Sequence, residues 1–253
     1  MHVGTFNVLA DKYIHYGDSL PPDSELQAPG SRIEPLKILI NSLGVDILAL
    51  QEVDDILARS INRDGAWQTF WRQKDNNKPD GCLTLVHPDI AVDSSKMLAF
   101  GDKSGHVAQI IQLGGIAVVN THLKWSPADD PQHKGLGQAR ELLERLGEQP
   151  VIILADCNDQ PGGPVRRHLA EADFGDLVGK MPTAWVGGEA VSIDTIALRG
   201  VAGRLVPTLY SPAKPNHRVP SDHIPVIADI EWPWSPKRRS NSPTHPFCAT
   251  IFL

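Results

Sequence analysis

Short apolar blocks, separated by polar punctuation, run along most of this chain. Val151–Ala155 has the length and β-branched content of a buried strand. It ends in Asp156, Cys157 and Asn158. Residues two apart on an extended chain point the same way, so Asp156 and Asn158 project together and Cys157 points away. The pattern predicts further strands at His2–Phe6, ending at Asn7, and at Asp46–Gln51, ending at Glu52. Another runs over Ile116–Asn120 and ends in Thr121 and His122. Gly81–Val86, Val107–Gln112, Ser192–Leu198 and Ile224–Glu231 are also predicted strands, with Gly114-Gly115 as a hairpin turn. Pro225 restricts the last to a sheet edge or to a strand that has only just begun.

Helical periodicity appears three times. Ser31–Leu43 reads as a helix with a Ser31/Glu34 capping box and Gly44 at its end. Gly137–Leu146 is closed by Gly147, and Pro164 starts a helix through Ala172. Asp11–Gly30, Trp125–Gln132 and Pro207–Pro220 read as loops. There is no fixed short repeat and no clean linker. Residues 1–234 therefore read as one domain, and 235–253, rich in Pro and Ser and basic, as a loosely held tail.

Composition adds bounds. The 253 residues can bury a sizeable core, and 41% hydrophobic with 21% charged residues is ordinary for a soluble globular protein. A net charge of −6 gives no global basic field, which weighs against wrapping duplex nucleic acid but leaves short or single-stranded substrates open. Cys82, Cys157 and Cys248 have no metal-type spacing, the start of the chain lacks a secretory pattern, and no apolar run approaches membrane-spanning length. A reduced cytoplasmic protein is the expectation.

Four predicted strands thus end in residues fit for metal–phosphate chemistry: Asn7, Glu52, His122, and Asp156 with Asn158. Each alone also fits a turn or a solvated strand terminus. If the strands share one core, their ends converge on one rim; Asp222-His223, which precedes its strand, reaches that rim if the strand runs antiparallel. Glu52, helped by Asn7 and Asp156, offers oxygen ligands to a hard divalent cation. His223 suits an acid–base or phosphate-holding role, its tautomer fixed by Asp194 or Asp222. His122 and Asn158 can donate to non-bridging oxygens as charge builds.

The order of motifs resembles the endonuclease/exonuclease/phosphatase superfamily, the group of deoxyribonuclease I and exonuclease III. The resemblance rests on TFNVLA (Thr5–Ala10), LALQEVD (Leu48–Asp54), NTHL (Asn120–Leu123), LADCNDQP (Leu154–Pro161), SIDTI (Ser192–Ile196) and SDH (Ser221–His223). DGC (Asp80–Cys82), VAQII (Val107–Ile111), NTHLKW (Asn120–Trp125) and Lys134 with Gln138 are similar to its deadenylase, nocturnin and Angel branch. The resemblance implies a four-layer α/β sandwich, two mixed β-sheets packed face to face with helices outside. It also implies Mg²⁺- or Mn²⁺-dependent cleavage of phosphate esters. Carried over, Asn7 and Glu52 resemble metal-site residues and His122 the phosphate-contacting histidine. Asp156 resembles the carboxylate that orients the attacking water, and Asn158 the transition-state donor. Asp194 resembles the partner of the final histidine, Asp222 a metal-site or orienting residue, and His223 the histidine on the scissile phosphate. No leucine-rich docking repeat precedes the domain, so recruitment to a large deadenylation complex is not expected.

Two substrate classes follow: RNA or short oligonucleotides cleaved by in-line water attack, or a small phosphate ester, including a nucleotide or a cyclic-phosphate RNA end. Trp125, Lys134 and Arg218 are the expected substrate contacts, Trp125 and Tyr210 as stacking surfaces. A basic track through Lys124, His133, Lys134, Lys214 and Arg218 would favour the polymer. A catalytically silent binding module is the third reading.

Overall fold

The computed structural model describes residues 1–14 and 24–232; the expected tail at 235–253, Cys248, and Pro21 and Pro22 lie outside them. In chain order the strands are β1 (His2–Asn7), β2 (Ile47–Asp54), β3 (Gln68–Gln73), β4 (Asp80–Val86), β5 (Ser94–Ala99), β6 (Val107–Leu113) and β7 (Ile116–His122). They continue with β8 (Val151–Asp156), β9 (Gly175–Asp176), β10 (Ala184–Val186), β11 (Glu189–Val191), β12 (Asp194–Arg199), β13 (Ala202–Leu205) and β14 (Val226–Glu231). The α-helices are α1 (Ile33–Ser42), α2 (Asp55–Arg63), α3 (Lys134–Leu146) and α4 (Pro164–Glu171).

Two six-stranded sheets form, ordered β13-β14-β1-β2-β4-β3 and β5-β6-β7-β8-β12-β9. Each has one parallel pair at its centre, β1 with β2 and β7 with β8, and antiparallel pairing elsewhere. Strand alternation sorts the apolar residues into layers. Val3, Ile47, Ala49, Val118, Ile152, Leu154, Ile196 and Val226 form the core between the sheets. Phe6, Leu48, Leu50 and Leu83 face outward under Leu36 and Ile40 of α1 and Leu57 and Ile61 of α2. Val119, Ile153 and Ala155 face the other way, under Leu142 of α3 and Val165 and Leu169 of α4. The result is the expected four-layer sandwich.

Asn7, Gln51, His122 and Asp156 occupy the inward phase of their strands, so the inter-sheet face ends in polar residues at one rim. β14 runs antiparallel to β1 and β12 antiparallel to β8, which carries the starts of those strands to the same rim. Pro225 sits just before β14, an interior strand.

One local expectation is corrected. The Ser31/Glu34 capping box does not form: Arg32 occupies the N-cap position without a side-chain cap, and Glu34 pairs with Lys37. Consecutive turns, Ser31 N to Ala28 O and Ile33 N to Gly30 O, feed the chain into α1 and take the place of the cap. Asp54 and Asp55, just after Glu52, do not join the site but start α2: Asp54 accepts from Leu57 N at 2.8 Å, and Asp55 pairs with Arg59.

Gly81 has a steric reason to be glycine. A Cβ there would lie 2.1 Å from Arg72 O and 2.6 Å from Gln73 Cα, both backbone atoms of β3. Gly81→Ala is expected to cost at least about 3 kcal/mol, by prising β3 from β4. Urea unfolding checks this; a loss under about 1 kcal/mol would mean that the β3–β4 approach relaxes freely.

Candidate active site

Asn7 joins the two sheets at the rim. Its Nδ2 donates to Glu52 Oε1 at 3.1 Å and to Asp156 Oδ2 at 2.9 Å, and its Oδ1 accepts from Leu9 N. Glu52 directly follows inward-facing Gln51, so strict alternation would turn it outward, and a β-bulge corrects this. The β2–β4 register shifts between Leu50 and Val53, and Glu52 adopts φ +53°. Leu9 and Asn158, also beside the site, share this left-handed conformation at φ +54° and +50°, a strained state for non-glycine residues that the surroundings enforce.

Asp156 Oδ1 accepts from Asn158 N at 3.0 Å, closing the turn that follows β8. Asn158 Nδ2 lies 2.8 Å from His122 Nε2 and donates to Leu123 O. Cys157 packs outward in the helix-side core, as the alternation requires. His223 Nδ1 donates to Asp194 Oδ2 at 2.9 Å, leaving Nε2 aimed at Asp156 Oδ2, 3.8 Å away. The β10–β11 hairpin braces this corner: Trp185 N donates to Asp222 O, and Thr183 Oγ1 accepts from Asp194 N. Ser221 Oγ donates to Asn7 O at 2.7 Å and ties the His223 segment to β1.

The electrostatics follow from burial without full counter-charge. Burial pushes the Glu52 carboxyl up, only partly opposed by Lys74, and Asp222 and Asp80 push the same way as burial. Burial likewise raises Asp156 to about 7, against the pull of His223. Burial would lower His223, but the Asp194 carboxylate and its hydrogen bond outweigh it and hold the imidazole well above its usual range. His122 falls well below its usual range through burial and the Lys74 charge. Among the described residues, neither Glu52 nor Asp156 has a Lys or Arg within ion-pair distance.

The structure therefore brings together Asn7, Glu52, His122, Asp156, Asn158, Asp194 and His223. Asp222 stands half-buried beside them, its charge acting on Glu52 and His223. Trp125 is 60% exposed on the segment after His122, and Lys134 is exposed at the first turn of α3. Arg218 is exposed and lies over the Tyr210 ring, which packs against the α1–α2 core rather than standing free to stack. His133 leaves the expected basic track: it is buried, and its Nδ1 accepts from Leu136 N to cap α3.

Sequence reasoning missed a buried pair behind His122. Lys74 Nζ lies 2.5 Å from Asp80 Oδ2 and 3.1 Å from His122 Nδ1, and Tyr13 Oη donates to Asp80 Oδ1. His106 packs edge-on to the His122 ring at 5.6 Å. The only signal was Asp80 at the head of the DGC triplet; a lysine in a polar loop reads as solvated.

Glu52, His122 and Asp156 each place one ligand atom within 4.8 Å of the others, as do Asp156, Asp194 and His223. A buried carboxylate, Asp156, beside a half-buried one, Glu52, with no Lys or Arg paired to either, fits a hard divalent ion.

The sequence profile of the Endonuclease/Exonuclease/phosphatase family matches residues 4–251. No curated protein sequence matches the chain. Among solved structures, ANGEL2, a 2′,3′-cyclic phosphatase, aligns with a TM-score of 0.74 at 16% identity, covering 90% of this chain and 94% of that one. The human Nocturnin catalytic domain with bound sulfate anion aligns at 0.67 and 22%, covering 91% and 92%. A functionally unknown conserved protein from Enterococcus faecalis V583 aligns at 0.70 and 19%, covering 91% and 99%. These structural likenesses establish a shared fold. Together with a profile match over nearly the whole length, they conclude the matter: this chain belongs to the endonuclease/exonuclease/phosphatase family of phosphoesterases.

Proposed function

We propose that the protein is a divalent-cation-dependent phosphodiesterase acting on RNA or short oligonucleotides. The observation that carries this reading is the pairing of a charge-deficient carboxylate set, Glu52 and Asp156, with a histidine couple, His223–Asp194, across one rim. Glu52, with Asn7, Asp156 and Asp222, would hold Mg²⁺ or Mn²⁺. A cation there neutralises phosphate charge and polarises the scissile bond.

The chain's own residues supply the rest. Asp156 orients the attacking water. Protonated His223, steadied by Asp194, donates from Nε2 to a phosphate oxygen. Asn158 Nδ2 donates to the non-bridging oxygen on which charge builds.

The polymer reading is supported beyond His122. There the loops around Lys78, Lys124 and Lys134 are stitched together: Asp75 N donates to Gly105 O, Lys124 N to Gln138 Oε1, and Gln138 Nε2 to Asp102 Oδ2. Burial and the Lys78, Lys74 and Lys134 charges hold the Lys124 ammonium below its usual range. Among the described residues none of Lys78, Lys124 and Lys134 has a carboxylate within 4 Å. These lysines without a direct ion-pair partner, next to exposed Trp125, suit a phosphate backbone and a stacked base.

The second reading is a phosphatase on a small ester or a cyclic-phosphate RNA end; the net charge of −6 favours a small substrate. Product analysis separates the two. End-labelled single-stranded RNA, the same DNA, a 2′,3′-cyclic-phosphate RNA end and nucleotide phosphates are incubated with Mg²⁺ or Mn²⁺, with EDTA, Glu52→Gln and His223→Ala as controls. Metal-dependent shortening of RNA, lost in both variants, is expected. Phosphate release at constant chain length would transfer the assignment to the phosphatase, and tight binding with no turnover to a silent module.

A further inference from the structure

His122 has a hydrogen-bonding conflict. Asn158 Nδ2 lies 2.8 Å from its Nε2, and Lys74 Nζ lies 3.1 Å from its Nδ1. Both neighbours are donors, yet a neutral imidazole accepts at one nitrogen and donates from the other. One contact must give way.

The balance falls to Lys74. Its side chain is 3% exposed, and the fully buried Asp80 carboxylate holds its ammonium at 2.5 Å. Tyr13 Oη fixes the other carboxylate oxygen at 2.9 Å. A charge-assisted hydrogen bond is roughly twice as strong as a neutral one. Exchanging the amide O and N of Asn158 would relieve the contact at Nε2. It would also set the Asn158 oxygen against Leu123 O, which now accepts from Nδ2 at 3.0 Å. His106, edge-on at 5.6 Å, crowds a flip of the His122 ring.

We infer that Lys74, held by Asp80 and Tyr13, is a positioning residue that fixes His122 as the Nε2–H tautomer. Its ammonium donates to Nδ1, so Nε2 must carry the proton. Nε2–H, which lies 3.6 Å from Asp156 Oδ2 and so makes no hydrogen bond to it, and the Asn158 amide then form two donors that face each other. An anionic oxygen arriving there accepts from both, so the conflict in the empty site becomes a matched pair when phosphate binds. Loss of this orientation would cost activity while leaving every group that touches substrate in place. The tautomer assignment stands apart from the proposed substrate; only its catalytic consequence rests on that reading.

The test is histidine-selective ¹⁵N labelling of the full chain with long-range ¹H–¹⁵N correlation near pH 7.5. Protonated and bare ring nitrogens resonate far apart, and His122→Gln identifies the His122 signals. The wild type is expected to show His122 as a single Nε2–H tautomer. Lys74→Met leaves Asp80 buried and unpaired and can fail to fold. The paired variant Lys74→Met/Asp80→Asn removes both charges while the Asn oxygen still accepts from Tyr13. In it, His122 should move to the Nδ1–H tautomer or to a mixture, with kcat reduced about 10–100-fold. Wild-type His122 found as Nδ1–H, or an unchanged Nε2–H tautomer in the paired variant, would overturn the assignment whatever the activity proves to be.

Discussion

Asp156→Asn is expected to lower phosphoesterase turnover on the order of 10³-fold and yet to relieve the metal-free protein of a burden above neutral pH. Asp156 is raised to about 7 by burial, so the folded protein holds a proton that the unfolded chain releases near pH 4. Such a group stabilises the fold fully below about pH 4, and that contribution is lost as pH rises through 7. Glu52, raised by the same cause, acts in the same direction. An amide carries no charge to desolvate. It also offers only one acceptor oxygen where Asp156 now serves both Asn7 Nδ2 and Asn158 N, so part of the gain is given back. Calorimetry in EDTA at pH 5 and pH 8 measures the balance: the stability of the wild type relative to the variant should fall between the two. No change in relative stability between pH 5 and pH 8 would mean that Asp156 ionises as an ordinary carboxylate. Added Mg²⁺ or Mn²⁺ should raise the wild-type Tm more at pH 8 than at pH 5, because the cation competes with the protons.

Arg32→Met is expected to cost about 3–5 kcal/mol, one of the largest single-residue losses in the molecule. The Arg32 guanidinium is buried and donates to Val8 O at 2.9 Å, to Pro220 O at 2.8 Å and to Leu9 O. Methionine fills much of the volume but leaves these carbonyls without their donor. The ion pair with Asp11 contributes less, since Asp11 keeps water contact. Position matters as much as energy. Val8 and Leu9 follow Asn7, and Pro220 precedes the Ser221–His223 turn, so Arg32 clamps the two chain segments that carry Asn7 and His223. Urea unfolding should register the stability loss, and the folded variant at low temperature should retain substrate binding better than turnover. Full turnover per folded molecule would reduce Arg32 to a stability element.

The parts of the fold legible in the sequence are those where one physical demand dominates. β1, β2, β4, β7 and β8 are buried on both faces and read as apolar runs. The edge strands β3, β5, β9 and β13 are partly or largely exposed and mix polar with apolar residues, so their sequences carry no such run. The strand-end residues were legible because polar groups closing apolar runs are conspicuous. The bulge that turns Glu52 inward was not, because it arises from pairing with β4. Lys74 and Asp80 were invisible as a pair because only the packing of the β3–β4 loop against His122 makes a lysine there buried.

Beneath the site, Gln51 Nε2 of one sheet donates to Asn120 Oδ1 of the other at 2.9 Å, and Asn120 Nδ2 donates to Leu50 O and Thr84 Oγ1. Thr84 Oγ1 in turn donates to Gln109 Oε1 at 2.6 Å, again across the sheets. Apolar faces attract without preferring an offset, and sliding by one strand residue would displace one half of the rim by about 3.3 Å. Misplacement by about 1 Å can already cost 10²-fold in rate. The amides act as a vernier between two otherwise slippery surfaces: they set where the sheets stop sliding, so the precision of the reaction centre is decided a layer below it, by residues that never meet substrate.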